Sequence, residues 1–326
     1  MAKKLDLVNA LKGFSIFTIV LMHLLQGYAE GILYKALSLG GAGVHVFLLC
    51  SGFGLYLSQL NKPLSYNSFL KRRTIRVYLP YVIIILISAL IPFYCLSSEK
   101  WMYVASHLFL FKMFVEKYEY SMGGQMWFIS TIIQFYLFWP LLVKAFKWLS
   151  NKQKYLPLIV GLVISTMWAT LVVILHKESL RIWNSFFLQY LWEFMLGMFL
   201  AQCYKKNPNS LKTPKLWKLL FLRILGLSIS GITGIIGGVW KVYNDVPSMI
   251  GYLCMGIIVC KAPLANKFFS FTNHLSYEWY LVHILVFKII DHYIHLHLLM
   301  HLIICFLTSY IIAYIYSIVL KKAHLK

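Results

Sequence analysis

The chain has 326 residues, of which 60% are hydrophobic and 17% aromatic, whereas only 13% are charged. Apolar runs of roughly eighteen residues or more recur along the whole length, which excludes a soluble globular domain and predicts an all-α, polytopic membrane helical bundle. The net charge of +21 lies mainly in short loops between these runs, where membrane proteins carry their basic residues, and therefore does not indicate nucleic-acid binding.

The apolar runs predict about ten transmembrane helices in one domain that covers residues 1–326. We expect the spans near residues 7–27, 41–60, 77–97, 126–148, 156–175, 183–204, 217–239, 247–262, 275–294 and 298–320. The first apolar segment is too long for a signal peptide and lacks a small-residue cleavage site, so we expect it to be retained. Residues 98–125 contain an apolar stretch too short to cross the bilayer, which predicts an interfacial or re-entrant helix.

The basic loops alternate along the chain. Residues 61–76 and 205–218 are rich in Lys and Arg, whereas the loops expected on the opposite side of the membrane are poorer in cations or balanced by acids. By the positive-inside bias, we expect both basic loops and both termini on the cytoplasmic side of a bacterial cell membrane.

The six cysteines stand at positions 50, 95, 203, 254, 260 and 305, mostly within apolar runs, and show no paired loop spacing. We interpret them as small core residues rather than as a disulfide framework or a metal site.

The first span carries two polar side chains that a lipid-facing helix would not favour. Lys12 and His23 are eleven residues apart, roughly three helical turns, so both project from one face about 16 Å apart. Ionisable side chains within a membrane are expensive and usually mark a site or a pathway. A neutral imidazole is the usual general base, which makes His23 a catalytic candidate, although a hydrogen-bonded structural histidine fits the pattern equally well.

The second span begins near His45 and continues to Ser51-Gly52-Phe53. No acid and base are arranged around Ser51 as a nucleophile would need, so the Ser-Gly pair predicts close helix packing instead. Arg73 and Arg76 follow at the start of the third span, three residues apart. Arginine pairs bind phosphate groups through forked hydrogen bonds, whereas the alternative is an ordinary membrane anchor, as we expect for Lys71 and Arg72.

Near the C-terminus, the run SYEWYLVH places Tyr280, His283 and Glu278 in one span, and Glu193 is another buried acid. Either acid could simply pair with a nearby cation. A histidine cluster follows, at positions 292, 295, 297 and 301. Its spacing straddles a loop and no acid or cysteine completes it beyond Asp291, so we predict no metal site.

Together these stretches resemble acyltransferase family 3, a family of integral membrane acyltransferases, along nearly the whole chain. The motifs that carry the resemblance are Asn9, Lys12, Gly13 and His23; Gly43-Val44-His45-Val46-Phe47 with Ser51-Gly52-Phe53; Arg73, Arg76, Pro80 and Tyr81; Trp127, Ile129, Gln134, Phe135, Tyr136, Trp139 and Pro140; and Ser276, Tyr277, Tyr280, Leu281 and His283. Asn9 and Lys12 stand where the family usually has Asp and Arg, and Ile132 and Ile133 stand where it often has Glu.

The resemblance implies transfer of an acyl group, usually acetyl from acetyl-CoA, to a hydroxyl of an extracytoplasmic or lipid-linked glycan such as a capsule polysaccharide. It further implies that His23 is the general base and that Arg73 and Arg76, with Lys12, bind the CoA phosphates. His45, Tyr280 or His283 would polarise the carbonyl group or position the sugar.

Two other classes stay open. A glycan transporter or flippase would use His23, Arg73, Glu193 and Glu278 as a polar path. A membrane sensor or scaffold would retain the fold without activity, as the changes at Asn9 and Lys12 allow. The sequence leaves the acyl group, the glycan and the oligomeric state open.

Overall fold

The secondary structure of the protein is helical throughout the part of the chain that the computed structural model describes, residues 2–94, 98–210 and 212–325. No β-strand occurs in these ranges, so the predicted all-α class is confirmed. The described cysteines, which exclude Cys95, are all free thiols.

The helices follow one another with short connections. The α-helices are α1 (Ala2–Gln26), α2 (Gly31–Leu37), α3 (Gly43–Asn61), α4 (Tyr66–Arg73), α5 (Leu79–Leu90), α6 (Lys100–Leu108), α7 (Trp127–Leu137), α8 (Trp139–Lys152), α9 (Leu156–Ile174), α10 (Arg181–Asn184), α11 (Leu191–Lys206), α12 (Leu216–Ile236), α13 (Val239–Val242), α14 (Asp245–Val259), α15 (Pro263–Asn273), α16 (Ser276–Tyr293) and α17 (Leu298–Lys322). Short 3-10 helices occupy Ser38–Ala42, Lys112–Phe114, Glu116–Tyr118, Gly124–Met126, Phe187–Tyr190 and Pro208–Ser210, and a π-helix spans Thr74–Tyr78.

Six helical segments of the described chain are long and apolar enough to cross a membrane, fewer than the ten expected. They are Asp6–Gln26, Gly31–Asn61, Tyr66–Leu90, Leu156–Ile174, Leu216–Ile236 and Leu298–Lys322. Two bent helix pairs bring the number to eight if each pair crosses as one span. The chain bends by 62° between α7 and α8, next to Pro140, and by 117° between α14 and α15, next to Pro263.

Two of the expected spans do not qualify by length and composition. The region expected at 183–204 is divided among α10, a 3-10 turn and the 16-residue α11. The region expected at 275–294 is the 18-residue α16, which carries Glu278, Lys288 and Asp291. Within residues 98–125, α6 has only nine residues, in agreement with the expectation that this connection does not span.

Apolar side chains cover the outer faces of the long helices. Ile159, Phe221, Ile224, Ile303 and Leu307 are all exposed on α9, α12 and α17. Polar side chains such as those of Glu193 and His283 are instead fully buried. This inverted distribution is typical of a bundle whose surroundings are lipid and whose interior holds the functional groups.

Helix α1 occupies the centre of the bundle, because it packs against α3, α14, α15, α16 and α17. Its N-terminal half contacts α15 at Gly13, where a Cβ atom would overlap the carbonyl oxygen of Phe269. Because helices surround α1, side chains on its different faces reach different parts of the interior.

Helices α3 and α11 pack with their backbones in direct contact. A Cβ atom on Gly52 would overlap the carbonyl oxygen of Phe194, and one on Gly197 would overlap that of Leu49. Small residues permit such close approach between membrane helices. The packing role predicted for Ser51-Gly52 is therefore confirmed at Gly52.

A substitution at Gly52 should separate these two helices. Gly52→Ala is expected to destabilise the protein by about 1–3 kcal/mol, the usual effect of an added methyl group in a tightly packed interior. Thermal unfolding of the detergent-solubilised protein measures the difference. Gly54→Ala is the matched control, since a Cβ atom at Gly54 meets nothing within 4 Å. Equal stability of the two variants would contradict the proposed contact.

Candidate active site

Two cavities enter the helical bundle. The larger, about 1470 Å³, is lined by His23 and His45 and is called the histidine cavity here. The smaller, about 540 Å³, is lined by Lys12, Arg73 and Arg76 and is called the arginine cavity. The residues that line both are Ile19, Val44, Phe128 and Tyr280. The two cavities are therefore neighbours separated by a few shared side chains.

Helix α1 connects the two cavities. Lys12 lines the arginine cavity and His23 lines the histidine cavity, with Ile19 between them at the shared wall. The structure thus places both polar side chains of α1 towards the interior, as their eleven-residue spacing predicts, about 16 Å apart along the helix.

His23 belongs to a chain of hydrogen bonds. Its Nδ1 atom lies 2.9 Å from Nε2 of His283, and the two rings stack with their centroids 5.1 Å apart. Nδ1 of His283 lies 3.0 Å from the carbonyl oxygen of Trp279. Because a carbonyl oxygen only accepts, His283 carries its proton on Nδ1 and accepts at Nε2 from the His23 Nδ1–H group. The Nε2 atom of His23 then keeps its lone pair.

His283 itself lies behind His23. Its side chain is fully buried on α16 and is not part of the lining of either cavity. The geometry makes His283 a residue that orients His23, in the way that a hydrogen-bonded partner fixes the tautomer of a catalytic histidine.

His45 has different surroundings. Its Nδ1 atom donates to Oε1 of Glu193 at 2.6 Å, and its Nε2 atom lies 3.8 Å from Oδ1 of Asp245. Asp245 also accepts a hydrogen bond of 2.7 Å from the Gln189 side chain. Carboxylates flank His45 on two sides, whereas His23 has another imidazole as its partner. Of the two histidines, His23 is the one with a ring nitrogen available for an incoming hydroxyl.

Tyr280 stands at the junction of the cavities. Its hydroxyl donates to the backbone carbonyl oxygen of Gln125, and its ring packs edge-on against Phe128. Both of these rings line both cavities. Tyr280 and Phe128 therefore belong to the boundary between the two cavities, together with Ile19 and Val44.

The two arginines of the arginine cavity lie where the third span departs from regular α-helical geometry. Pro80 has no N–H group and its ring excludes a regular α-turn before it, and the chain forms the π-helix Thr74–Tyr78 there. Arg73 precedes the π-helix and Arg76 lies within it. Such wide turns occur frequently at functional sites.

Arg73 has an incomplete set of partners. Its guanidinium group lies 5.5 Å from the ring of Phe69 and 5.7 Å from that of Tyr136. Its Nε atom is buried and has no hydrogen-bond acceptor among the described residues. A buried donor without an acceptor is costly, and an anion bound in the cavity would satisfy it.

Sequence reasoning missed the charged residues of the histidine cavity other than its histidines, among them Asp245 and Arg181. The Arg181 guanidinium lies 3.8 Å from the centroid of the Trp127 ring. Both residues are far in sequence from their partners, so periodicity gave no signal for them. Arg181 carried one weak signal, because it is an arginine in a connection that the alternation of charges assigns to the side away from the basic loops.

Of the histidine cluster near the C-terminus, only His301 belongs to a group of possible metal-ligand atoms among the described residues, together with Asp291 and Cys305. Nε2 of His301 lies 2.8 Å from Oδ1 of Asp291 and 3.4 Å from Sγ of Cys305. The three donor atoms lie within 4.8 Å of one another. Cys305, one turn beyond His301, is a member that the sequence analysis overlooked. Hydrogen bonds within the group account for its geometry, and Tyr28 donates a further one to Asp291.

Comparison with known families identifies the chain. The family described as "Acyltransferase domain" matches residues 5–318, nearly the whole sequence. The chain belongs to this family. The resemblance to acyltransferase family 3 that the motifs indicated is therefore confirmed. No solved structure matches the chain.

One relative of this acyltransferase carries a more specific name. Peptidoglycan O-acetyltransferase OatA from Listeria monocytogenes serovar 1/2a is 25% identical over 198 residues, an alignment that covers 54% of this chain and 30% of OatA. The chain therefore spans only about a third of that relative's length. The family and the apolar helices together identify a multi-pass membrane protein.

A buried lysine supports one wall of the histidine cavity in this acyltransferase. The Lys112 ammonium donates to the carbonyl oxygens of Tyr118, Glu119 and Ser121, which closes the connection before Gln125. Gln125 in turn accepts the hydrogen bond from Tyr280. Burial lowers the pKa of Lys112 to about 7, against the opposing effect of the Glu119 carboxylate.

The lowered pKa of Lys112 predicts a pH-dependent stability. An unfolded lysine has a pKa near 10.4, so between about pH 7 and pH 10 the unfolded chain binds more protons than the folded one. The free energy of unfolding should therefore rise with pH in this window by at most about 1.4 kcal/mol per unit. Lys112→Met should lack this rise in urea or thermal unfolding. Lys117→Met, at an exposed ion pair, is the control; parallel curves for wild type and Lys112→Met would contradict the assignment.

Proposed function

We propose that this acyltransferase moves an acetyl group from acetyl-CoA to a hydroxyl of a cell-surface or lipid-linked polysaccharide, with His23 as general base. The observation that carries the proposal is the position of His23. Its ring is oriented by His283 and lines a large cavity that shares lining residues with a smaller one, which holds Lys12, Arg73 and Arg76 beside Glu278. This arrangement brings a base between a site suited to CoA phosphates and a site large enough for a glycan.

The donor would bind in the arginine cavity. Lys12, Arg73 and Arg76 supply three positive charges there, and the buried Nε atom of Arg73 needs an acceptor. Phosphate oxygens fit this need, since guanidinium groups bind them through charge-assisted hydrogen bonds. Lys12 keeps the positive charge of the arginine usual in the family but binds as a point charge.

The thioester would reach the junction of the cavities. The pantetheine arm would extend past Tyr280 and Phe128 to place the acetyl carbonyl beside His23. His23 Nε2 would take the proton of the acceptor hydroxyl while its oxygen attacks the carbonyl carbon. The bond from carbon to sulfur then breaks, the CoA thiolate leaves, and the proton on His23 is available to neutralise it.

Tyr280 and His45 would have supporting roles. The Tyr280 hydroxyl donates to Gln125 and would have to exchange that partner for the thioester oxygen in order to stabilise the developing negative charge. His45 is held by Glu193 and faces Asp245, so it suits hydrogen bonding to the sugar better than proton abstraction.

The orientation follows from the basic loops. Arg73 and Arg76 belong to the segment around residues 61–76, which the positive-inside bias assigns to the cytoplasm. Acetyl-CoA would then enter from the cytoplasm and the glycan from the opposite face. The name of the relative OatA supports acetyl as the acyl group and a cell-envelope polysaccharide as the acceptor.

A glycan flippase is the second candidate, favoured by the shared wall of the two cavities. It differs in its products, because a flippase moves glycan without acetyl-CoA and forms no ester. Radiolabelled acetyl-CoA supplied to membranes that contain the protein, with the label followed into the glycan fraction, separates the two functions.

The same assay tests His23. His23→Ala should remain inserted and bind acetyl-CoA, while transfer falls by about two to four orders of magnitude, the usual contribution of a positioned acid–base group. His295→Ala is the matched control, because His295 is exposed in a loop outside both cavities and its loss should leave transfer unchanged. Near-normal acetylation by His23→Ala would refute the assignment of the base.

Arg73 is tested by donor binding. Arg73→Ala should weaken acetyl-CoA binding by roughly ten- to a hundredfold, since one charge-assisted hydrogen bond contributes about 1.5–3 kcal/mol. Arg73→Lys should restore part of the affinity, because the charge remains but the fork is lost. Arg72→Ala is the control, an exposed neighbour outside the cavity. Unchanged acetyl-CoA affinity in Arg73→Ala would contradict donor binding by Arg73 and favour the alternative, an ordinary membrane anchor.

A further inference from the structure

Arg181 is held rigidly inside the histidine cavity. It is the first residue of α10, whose chain is fixed because Ile182 N–H donates to Glu119 and Thr131 donates to the Ser185 carbonyl oxygen. Its guanidinium lies over the Trp127 ring at 3.8 Å, and Trp127 stacks on Tyr190. A guanidinium that lies flat on an aromatic ring keeps its N–H groups at the edge, free for other acceptors.

No carboxylate of the described residues forms a close ion pair with this arginine, although Asp245 attracts it electrostatically. Within the residues that the structure describes, the ion pairs of the histidine cavity join His45 with Glu193 and Asp245, and none involves Arg181. Asp245 is already bonded to Gln189. A half-buried guanidinium with no carboxylate in contact is unfavourable in a bundle surrounded by lipid unless a ligand supplies such a contact.

The rest of the cavity lining is also basic. The charged side chains of its wall, apart from histidines, are the cations Lys35, Arg181, Lys241 and Lys288 and the acids Glu178 and Asp245. Lys35 donates to the carbonyl oxygen of Ile235 at the rim. Lys241, in the short helix α13, lines the same cavity as Arg181. Burial and the like charge of Arg181 lower the pKa of its ammonium group. Two cations that repel each other across a cavity form a site for an anion.

The position of this pair relates it to the reaction. Arg181 lines the same cavity as His23 and His45, where the acceptor hydroxyl would react. An anionic group bound by Arg181 would hold the sugar ring that carries it, or the adjacent ring, beside the His23 base. Anchoring of this kind positions a substrate without taking part in the chemistry.

We propose that the acceptor glycan is anionic, and that a carboxylate or phosphate diester on it binds between Arg181 and Lys241. The inference rests on the proposed function, because it places the acceptor in the histidine cavity. It adds a substrate class: glycans that carry negative charge near the acetylated hydroxyl, in preference to neutral glycans.

Equilibrium binding to the purified full-length protein, without acetyl-CoA, tests the proposal. The probes are an N-acetylglucosamine tetrasaccharide with one carboxylated sugar, the same compound as its carboxamide, and a tetrasaccharide that carries a phosphate diester. At low salt we expect one or both anionic probes to bind about tenfold or more tightly than the carboxamide. Added salt should reduce the difference in affinity between the anionic probes and the carboxamide, because it screens charges. The anionic probe that binds more tightly identifies the anion.

Substitutions of Arg181 test whether this residue causes the preference for anionic probes. Arg181→Gln should bind the carboxamide as wild type does but lose the preference for the anionic probes, and Arg181→Lys should regain part of it. Lys177→Gln is the control, because Lys177 pairs with Glu116 and does not line the cavity. Equal binding of anionic and neutral probes by wild type, binding of none, or a preference that survives in Arg181→Gln would overturn the proposal.

The two proposals fail in different ways. If wild type prefers the anionic probes but forms no acetyl ester from acetyl-CoA, the anion site stands and the proposed reaction falls. If wild type acetylates neutral glycan and shows no preference for anionic probes, the reaction stands and the anion site falls.

Discussion

The direct contact between the backbones of α3 and α11 is the constraint on which the interior depends. Because Gly52 and Gly197 have no side chains, the two helices approach closely enough for His45 on one to reach Glu193 on the other at 2.6 Å. His45 of this pair lines the histidine cavity. α1 then packs against the same α3 and supplies the opposite histidine. A wider spacing of α3 and α11 would change the separation of the two imidazoles.

The interior also shows how an apolar bundle accommodates polar groups. Lys112, which has no part in the proposed reaction, is buried and bonded to three carbonyl oxygens. The Nε atom of Arg73 is buried without an acceptor among the described residues, and Arg73 lines the arginine cavity. Since an unsatisfied polar atom is costly within a membrane protein, its position beside a cavity indicates where a ligand binds.

Much of the fold and part of the site followed from the sequence alone. Hydropathy identified the all-α membrane class, and the helical repeat placed Lys12 and His23 on the interior side of α1, because both are local properties of the chain. Six to eight spans of the described chain qualify by length and composition rather than ten, because the region expected at 183–204 is divided among short elements and the region expected at 275–294 carries three charged residues. The partners of His23 and His45 lie 260 and 148 residues away, so neither the tautomer of His23 nor the Glu193 contact could be derived from spacing. Arg181 was overlooked for the same reason.

The π-helix before Pro80 has a consequence for the two arginines of the third span. A spacing of three residues places side chains on one face only in a regular α-helix. A π-turn holds an additional residue, so the segment that precedes it is rotated relative to the segment that follows. The extra residue of the π-turn therefore sets the angle between the Arg73 and Arg76 guanidinium groups, rather than the three-residue spacing. The insertion or deletion of a single residue in Thr74–Tyr78 would rotate α4 about its axis. Arg73 would then point in a different direction, while α5 stays in place.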